Sequence, residues 1–413
     1  MFAIPLAWLQ LKRETVRLLV ALAGIGFAVM LMFIQLGFKD ALFESAVTLH
    51  QNLKGDIFII SSQSTSLISM KSYDDRRLYA ALGAPGVERV SPVMIGFGIW
   101  KNPFWEGLPK PQTRSIMVLG VDPNDEIMTL PGITPETRDM IREEDVVLFD
   151  RRSREEFGPI PAKFEEFQKT GKRLEAELEN RRVKVGQIFE LGASFGADGN
   201  MLTSTSSFRR IFSNRGPGLI DMGIIQLKPG TDVMATLDSL KKSLPGAYRV
   251  NPELKPEQAK QDFILGDIRI LSRDAFIEVE RKYWETGTGI GFIFGLGTVI
   301  GFVVGIVIVY QILYTDVADH ISEYATLKAM GYYNRYLLKV VFQEAIILSL
   351  MGFIPGYLLS NGMYQLTKSA TALPIGMTLE RGITVLILTV IMCVVSGAIA
   401  VRKVADADPA DIF

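Results

Sequence analysis

Four stretches of this chain carry almost no charge, and each is long enough to cross a bilayer. Leu18 to Phe38 contains no Asp, Glu, Lys or Arg, and neither do Gly287 to Ile312 and Gly382 to Val401. Leu337 to Met363 is broken only by Glu344 beyond its first turn. A helix spans the hydrocarbon core with about 20 mostly apolar residues. The backbone of such a segment must bond to itself, which leaves helices as the simple solution. The sequence therefore predicts four transmembrane helices, at 18–38, 287–312, 336–363 and 382–401. The first is read as a retained helix rather than a secretory signal. Its apolar run exceeds the roughly 7–15 residues of a signal core, and no A-x-A cleavage site follows.

Lys and Arg near helix ends set orientation. Lys12, Arg13 and Arg17 lie in the segment 1–17 before the first span, and Arg402 and Lys403 in the tail 402–413 after the last. Lys328, Arg335 and Lys339 flank the link 313–335, whereas the loop 364–381 has only Lys368 and Arg381. Both termini are expected to be cytoplasmic and residues 39–286 extracytoplasmic.

That middle block has the composition of a soluble α+β domain. Asp56–Ser61, Val93–Trp100, Ser115–Gly120 and Gly223–Leu227 read as strands, and Tyr248–Asn251 as a possible further one. Ser72 reads as the N-cap of a helix ending near Gly83, and a second helix begins at Thr231 with Val233, Leu237 and Leu240 on one face. Two strand-helix-strand units imply a ferredoxin-like part. Residues 132–221 read as an inserted lobe, with charged helices over 133–180, a strand or hairpin at Val183–Gly192 and a loop at Ala193–Asn214. Pro256–Glu285 reads as a helical stalk (256–286) continuous with the second span, with Tyr283 and Trp284 as interfacial anchors.

The chemistry that is missing matters as much. A net charge of −1 gives no reason to expect nucleic-acid binding. The single cysteine, Cys393, excludes an internal disulfide, and the two histidines, His50 and His320, are far apart, so neither a metal site nor a cofactor is expected. There is no P-loop: Glu166 stands where Gly171-Lys172 would need its first glycine. No G-x-S-x-G or H-E-x-x-H occurs, and the paired acids of the charged lobe suit a solvated surface. No catalytic residue is expected.

Two features remain. Gly287, Gly291 and Gly295 recur every fourth residue, as do Gly297, Gly301 and Gly305. That spacing does not fit a nucleotide loop and suits close helix packing in lipid, within the chain or across a dimer. Glu344 is an acid in a span, read either as an interfacial group near Lys339 or as a polar contact locking the connector to the third span. The connector, Asp316 to Gly331, has helical spacing. Val317, Ile321, Tyr324 and Leu327 or Lys328 lie near one face, and Asp316, Asp319, Glu323 and Met330 on others. It suits an amphipathic helix on a membrane face, either a simple interfacial anchor or a docking element.

Here a family resemblance enters. Ser322-Glu-Tyr-Ala-Thr-Leu-Lys-Ala-Met-Gly331 resembles the R-E-I-x-x-L-R-A-x-G element of FtsX/MacB-type ABC-transporter permeases. The longer string Tyr310 to Tyr332 resembles the DevC branch of cyanobacterial exporters, Ala405 to Phe413 the family's closing D-P-A element, and Val118-Leu-Gly-Val-Asp-Pro123 an outside-domain strand. The resemblance implies a permease subunit of a bacterial plasma membrane, cyanobacterial by the DevC likeness, working as a homodimer with a separate ABC ATPase. It also implies a periplasmic membrane-fusion adaptor and a TolC-like outer-membrane channel, with a glycolipid or other amphipathic cargo. Asp316, Asp319, His320, Ile321, Glu323, Tyr324, Leu327, Lys328 and Gly331 would form the coupling helix on the ATPase. A regulator of a periplasmic hydrolase, as in FtsX, is the alternative. MacB itself carries a fused ATPase domain, and nothing in this sequence encodes one.

Overall fold

The computed structural model describes residues 15–104, 113–247, 267–319, 330, 334–371 and 373–406. It divides into two compact units, one made of Met1–Ala41 with Gly289–Phe413 and the other of Leu42–Thr288.

Helix α1 (Thr15–Asn52) is unbroken. Its apolar run stops at Phe38, and Lys39, Asp40 and Glu44 follow, so its last turns lie outside the span. Leu49 there and Leu53 just past the helix end join the core of the second unit. Strand β1 (Ile57–Ser61) is buried along its whole length. Ile57 and Ile59 enter one apolar cluster, and Phe58 and Ile60 the other. Successive side chains on a strand point to opposite faces, so a strand covered on both sides reads as a continuous apolar run.

Next come β2 (Tyr73–Asp74) and α2 (Arg76–Tyr79), which a 3-10 turn extends to Gly83. The helix begins later than expected, after Asp75. Ser72 is not its cap, because its hydroxyl donates to Asp221 Oδ1 at 2.9 Å. The unit continues with β3 (Val87–Lys101), β4 (Thr113–Val121), α3 (Pro135–Met140), β5 (Val146–Asp150), α4 (Ile160–Thr170) and β6 (Leu174–Leu178). After these come β7 (Arg181–Phe189), β8 (Asn200–Ser204), α5 (Thr205–Ile211), β9 (Leu219–Ile220) and β10 (Met222–Leu227). It closes with α6 (Val233–Ser243), β11 (Ile268–Ser272) and α7 (Arg273–Lys282).

Among the described residues a nine-stranded sheet runs through the unit in the order β11-β1-β10-β3-β4-β8-β5-β7-β6. The segment β11-β1-β10-β3 is antiparallel, and its chain order, with α2 and α6 between strands, is that of a β-α-β-β-α-β unit. Residues 132–221 do not form a sheet of their own: they supply β5 to β8 to this sheet, while β9 pairs with β2 in a small two-stranded sheet. Strand β6 returns to pair with the end of β3 at Trp100↔Leu178 and Lys101↔Glu177. Strand β3 is 15 residues long, enough to pair with β10 at one end and with β4 and β6 at the other. The ring β3-β4-β8-β5-β7-β6 closes around Trp100, Phe149 and Phe157, and the Trp100 indole N–H donates to the Phe157 carbonyl at 3.0 Å.

Two further expectations are corrected. Ala193–Asn214 is not all loop. It contains β8 and α5, and its hydroxyl residues have structural work: Ser204 Oγ caps α5 by accepting from Ser207 N, and Thr203 donates to the Val146 carbonyl at 2.7 Å. The expected stalk is helical only in part. Ile268–Ser272 is a strand paired with β1, because its alternating Ile268 and Ile270 complete an apolar face. Helix α7 then passes into a π turn, Tyr283–Gly287, and Gly289 (φ +71°) breaks continuity with the next helix. Trp284 is no exposed anchor. It is buried, edge-on to Phe195 with ring centroids 4.9 Å apart. Tyr248–Asn251 lies outside the described residues.

The other unit holds the first part of α1 with α8 (Ile290–Asp319), α9 (Asn334–Thr371) and α10 (Leu379–Asp406). All four helices are long and apolar enough to cross a membrane. Their shared core contains Ile25, Val29, Phe33, Leu313, Leu348, Val385 and Met392. Outward faces such as Phe292, Leu296 and Ile300 on α8 stay exposed and apolar, which suits a hydrocarbon surround.

Candidate functional site

The helix of the second span extends into the stretch expected to be the connector. Helix α8 runs to Asp319, so Asp316 and Asp319 form part of its last turn rather than the start of a separate helix. Asp319 carries an ion pair to Arg17 of α1 at 2.5 Å. That pair joins the basic approach to the first span with the acidic exit from the second. His320, Ile321, Glu323, Tyr324, Leu327, Lys328 and Gly331 lie outside the described residues.

The glycine rows separate by environment. A Cβ at Gly297 would stand 2.6 Å from the Gln35 side chain, and one at Gly301 3.5 Å from Leu31 Cβ. At Gly305 a Cβ would meet Met392 sulfur and stand 2.9 Å from Ala28 Cβ. This row therefore lies against α1 and α10. A Cβ at Gly295 would meet nothing within 4 Å, and one at Gly287 only its neighbour Tyr283. Gly291 lies in the first turn of α8.

Another close helix contact, between α9 and α1, did not emerge from the sequence. A Cβ at Gly352 would fall 2.5 Å from Ile25 Cγ2, and one at Gly356 2.6 Å from Val29 Cγ1 and 2.8 Å from the Gly26 carbonyl. The signal was available in Gly352-Phe-Ile-Pro-Gly356, which has the same four-residue spacing. Glu344 on α9 is 1% exposed, on the helix face that buries Val340, Val341 and Leu348, while Lys339 is exposed.

In the α+β unit a groove of about 330 Å³ lies between α3, α4 and β7. Phe164, Leu174 and Val185 supply its apolar lining. At its edge Glu143 accepts from Arg173 and from Lys184 Nζ at 3.1 Å, and these partners hold its carboxyl below the usual range. Lys172 adds another cation. Among the described residues no group of His, Cys, Asp and Glu could hold a metal ion.

A bundle of membrane-length helices with an α+β domain inserted between the first and second defines a membrane permease architecture. The model of the MacB-like periplasmic core domain matches residues 18–243, and that of the FtsX-like permease C-terminal region matches residues 289–409. The chain belongs to the FtsX/MacB-like ABC permease family. The periplasmic region of MacB from Actinobacillus actinomycetemcomitans is similar at 12% identity, covering 55% of this chain and 92% of that one, with a TM-score of 0.32. The extracellular domain of the noncanonic ABC-type transporter YknZ from Gram-positive bacteria is similar at 12% identity, covering 52% and 99%, with a TM-score of 0.31. No curated protein sequence matches.

Proposed function

We propose that this chain is the permease subunit of a DevC-type ABC exporter whose ATPase is a separate protein. Residues 316–331 are its coupling element, both termini are cytoplasmic, and residues 39–286 face the periplasm of a bacterial, cyanobacterial-type plasma membrane. The observation that carries the reading is the Ser322–Gly331 string, which lies in sequence between the second and third apolar helices, within the region that matches the FtsX-like model. The chain acts as a homodimer, and Gly287, Gly291 and Gly295 lie on the glycine row suited to the partner copy.

ATP-driven movement of the coupling element tilts the spans. The α+β domain passes that motion to an adaptor and an outer-membrane channel, which export a lipid, glycolipid or other amphipathic cargo. The groove at Phe164, Leu174 and Lys172, apolar within and charged at its edge, suits an adaptor segment. Glu344 holds the coupling element to the third span.

The test is purification of the intact complex with its ATPase, followed by ATPase and export assays on Glu323→Arg and Leu327→Asp. Both variants should insert normally and leave hydrolysis uncoupled from export. Normal export by both variants, or recovery of a periplasmic hydrolase in place of an adaptor, would overturn the reading.

A further inference from the structure

Two chain segments connect the α+β unit to the membrane helices: the end of α1 and the passage from α7 towards α8. A buried pair of ionisable side chains joins them. His50, in the last turn of α1, is 1% exposed, and Glu280, on α7, is 3% exposed. His50 Nε2 lies 3.6 Å from Glu280 Oε2. Glu280 Oε2 accepts from the Leu67 amide at 2.7 Å, and Oε1 accepts from the Trp284 indole N–H at 2.8 Å. His50 packs on Phe276 (centroids 4.6 Å), which stacks on Phe58 (4.7 Å). His50 Nδ1 makes no hydrogen bond among the described residues.

Other charges of the surrounding elements lie elsewhere. Glu44 on α1 is exposed and accepts from Gln51. On α7, Arg273, Asp274, Glu278, Arg281 and Lys282 are exposed, as is Lys71 beyond the Leu67 turn. Arg269 of β11 donates to the Ser64 carbonyl, β1 carries no charged side chain, and the π turn adds partly exposed Glu285. Burial is therefore the main influence on both groups of the pair.

We propose that His50 and Glu280 hold one proton between them and act as a clasp that keeps the two exits of the α+β unit together over a span of acidity. Two charges there would be costly to bury, and so would one unneutralised carboxylate; a single proton avoids both. Burial lowers His50 to about 3 and raises Glu280 to about 7. An opened clasp returns each group to its ordinary range, so the two titrations oppose each other. As pH rises, Glu280 favours opening and His50 favours closing. The inference concerns the folded domain and does not rest on the transport reading.

The Leu67 amide reports the clasp directly. Hydrogen exchange of full-length protein in detergent, corrected for the intrinsic pH dependence, follows its opening. Between pH 6 and 8 the wild type should open only about two- to three-fold more often. His50→Gln removes the opposing titration, and the rise should grow to about ten-fold. Glu280→Gln should reverse the sign, with opening falling about four-fold. A ten-fold rise or a four-fold fall in the wild type would mean that one group titrates alone, and would overturn the proposal without any variant. Variants that match the wild type would overturn it as well.

Discussion

Asp40, just past the apolar part of α1, accepts two hydrogen bonds from Arg381 in the first turn of α10, 2.6 Å from Nη2 and 3.0 Å from Nε. Arg381 Nη1 also donates to the Gly376 carbonyl at 2.7 Å. The guanidinium sits 5.7 Å from the Tyr364 ring centroid, and the Tyr364 hydroxyl donates to the Phe33 carbonyl. One arginine thus ties together α1, α9, α10 and the loop before α10.

Arg381→Met should lower the stability of the detergent-solubilised protein by about 1–3 kcal/mol, the usual range for lost charged hydrogen bonds. Asp40 is half exposed, so Asp40→Asn should cost less, under about 1 kcal/mol. A double-mutant cycle on melting temperature isolates the pair. Coupling indistinguishable from zero would show that Arg381 works through Gly376 and Tyr364 alone.

The glycines of the bundle should divide by the space around them. Gly356→Ala forces a methyl against Val29 and the Gly26 carbonyl, and a backbone atom cannot swing aside. It should destabilise by about 1–3 kcal/mol, as overpacking does. Gly295→Ala meets open space and gains helix propensity, so the isolated subunit should hold or gain up to about 1 kcal/mol. Thermal melts of the two variants side by side test this, and equal losses would contradict the packing described here. If Gly295→Ala leaves the monomer intact but weakens self-association, the row serves a partner copy.

The four apolar helices and the strands at Asp56, Val93, Ser115 and Gly223 were legible because burial on both faces, or in lipid, writes itself as continuous apolar sequence. The ring closed by β6 was not. Its strand Leu174–Leu178 reads Leu-Glu-Ala-Glu-Leu, an alternation that a charged helix could also carry, and only the pairing of Trp100 with Leu178 decides it. Residues 268–272 were read as stalk because Pro256–Glu285 as a whole has helical composition, which hid the short alternation of Ile268, Arg269 and Ile270. In the fold Arg269 bonds the Ser64 carbonyl from a strand. Nor could spacing reveal the clasp, since His50 and Glu280 are far apart in sequence and meet only through tertiary packing. Most of the connector residues singled out from sequence lie outside the described segments, and their role rests on the family and the string itself.

Asp150, fully buried at the end of β5, organises the turn after β7. Its carboxylate accepts from the amides of Arg152, Leu191 and Gly192 and from Asn200 Nδ2, all at 2.8–3.0 Å. Asp150→Asn places an NH₂ where donors converge. It should cost about 2–4 kcal/mol, combining lost charged hydrogen bonds with a buried unmatched donor. Denaturant titration of the intact protein measures this. A loss below about 0.5 kcal/mol would mean that the turn reorganises around the amide.

The buried pair also sets how global stability depends on pH. Glu280 has a folded value raised from 4.5 to about 7, so on its own it would lose stability as pH rises from 4.5 to 7. His50 has a folded value lowered from 6.5 to about 3, so on its own it would lose stability as pH falls from 6.5 to 3. Between pH 4.5 and 6.5 the folded and unfolded chains each hold one proton on the pair, and its contribution is flat. Below pH 4.5 the unfolded chain takes up a second proton, and the loss reaches about 2 kcal/mol near pH 3. Above pH 6.5 the unfolded chain has given up its proton while the folded chain keeps one, which costs under about 1 kcal/mol by pH 7. Melting temperature against pH should therefore show a plateau in the wild type. Across that plateau the curves should slope upward with pH in Glu280→Gln and downward in His50→Gln. Parallel curves for all three proteins would show that the two side chains do not share a proton.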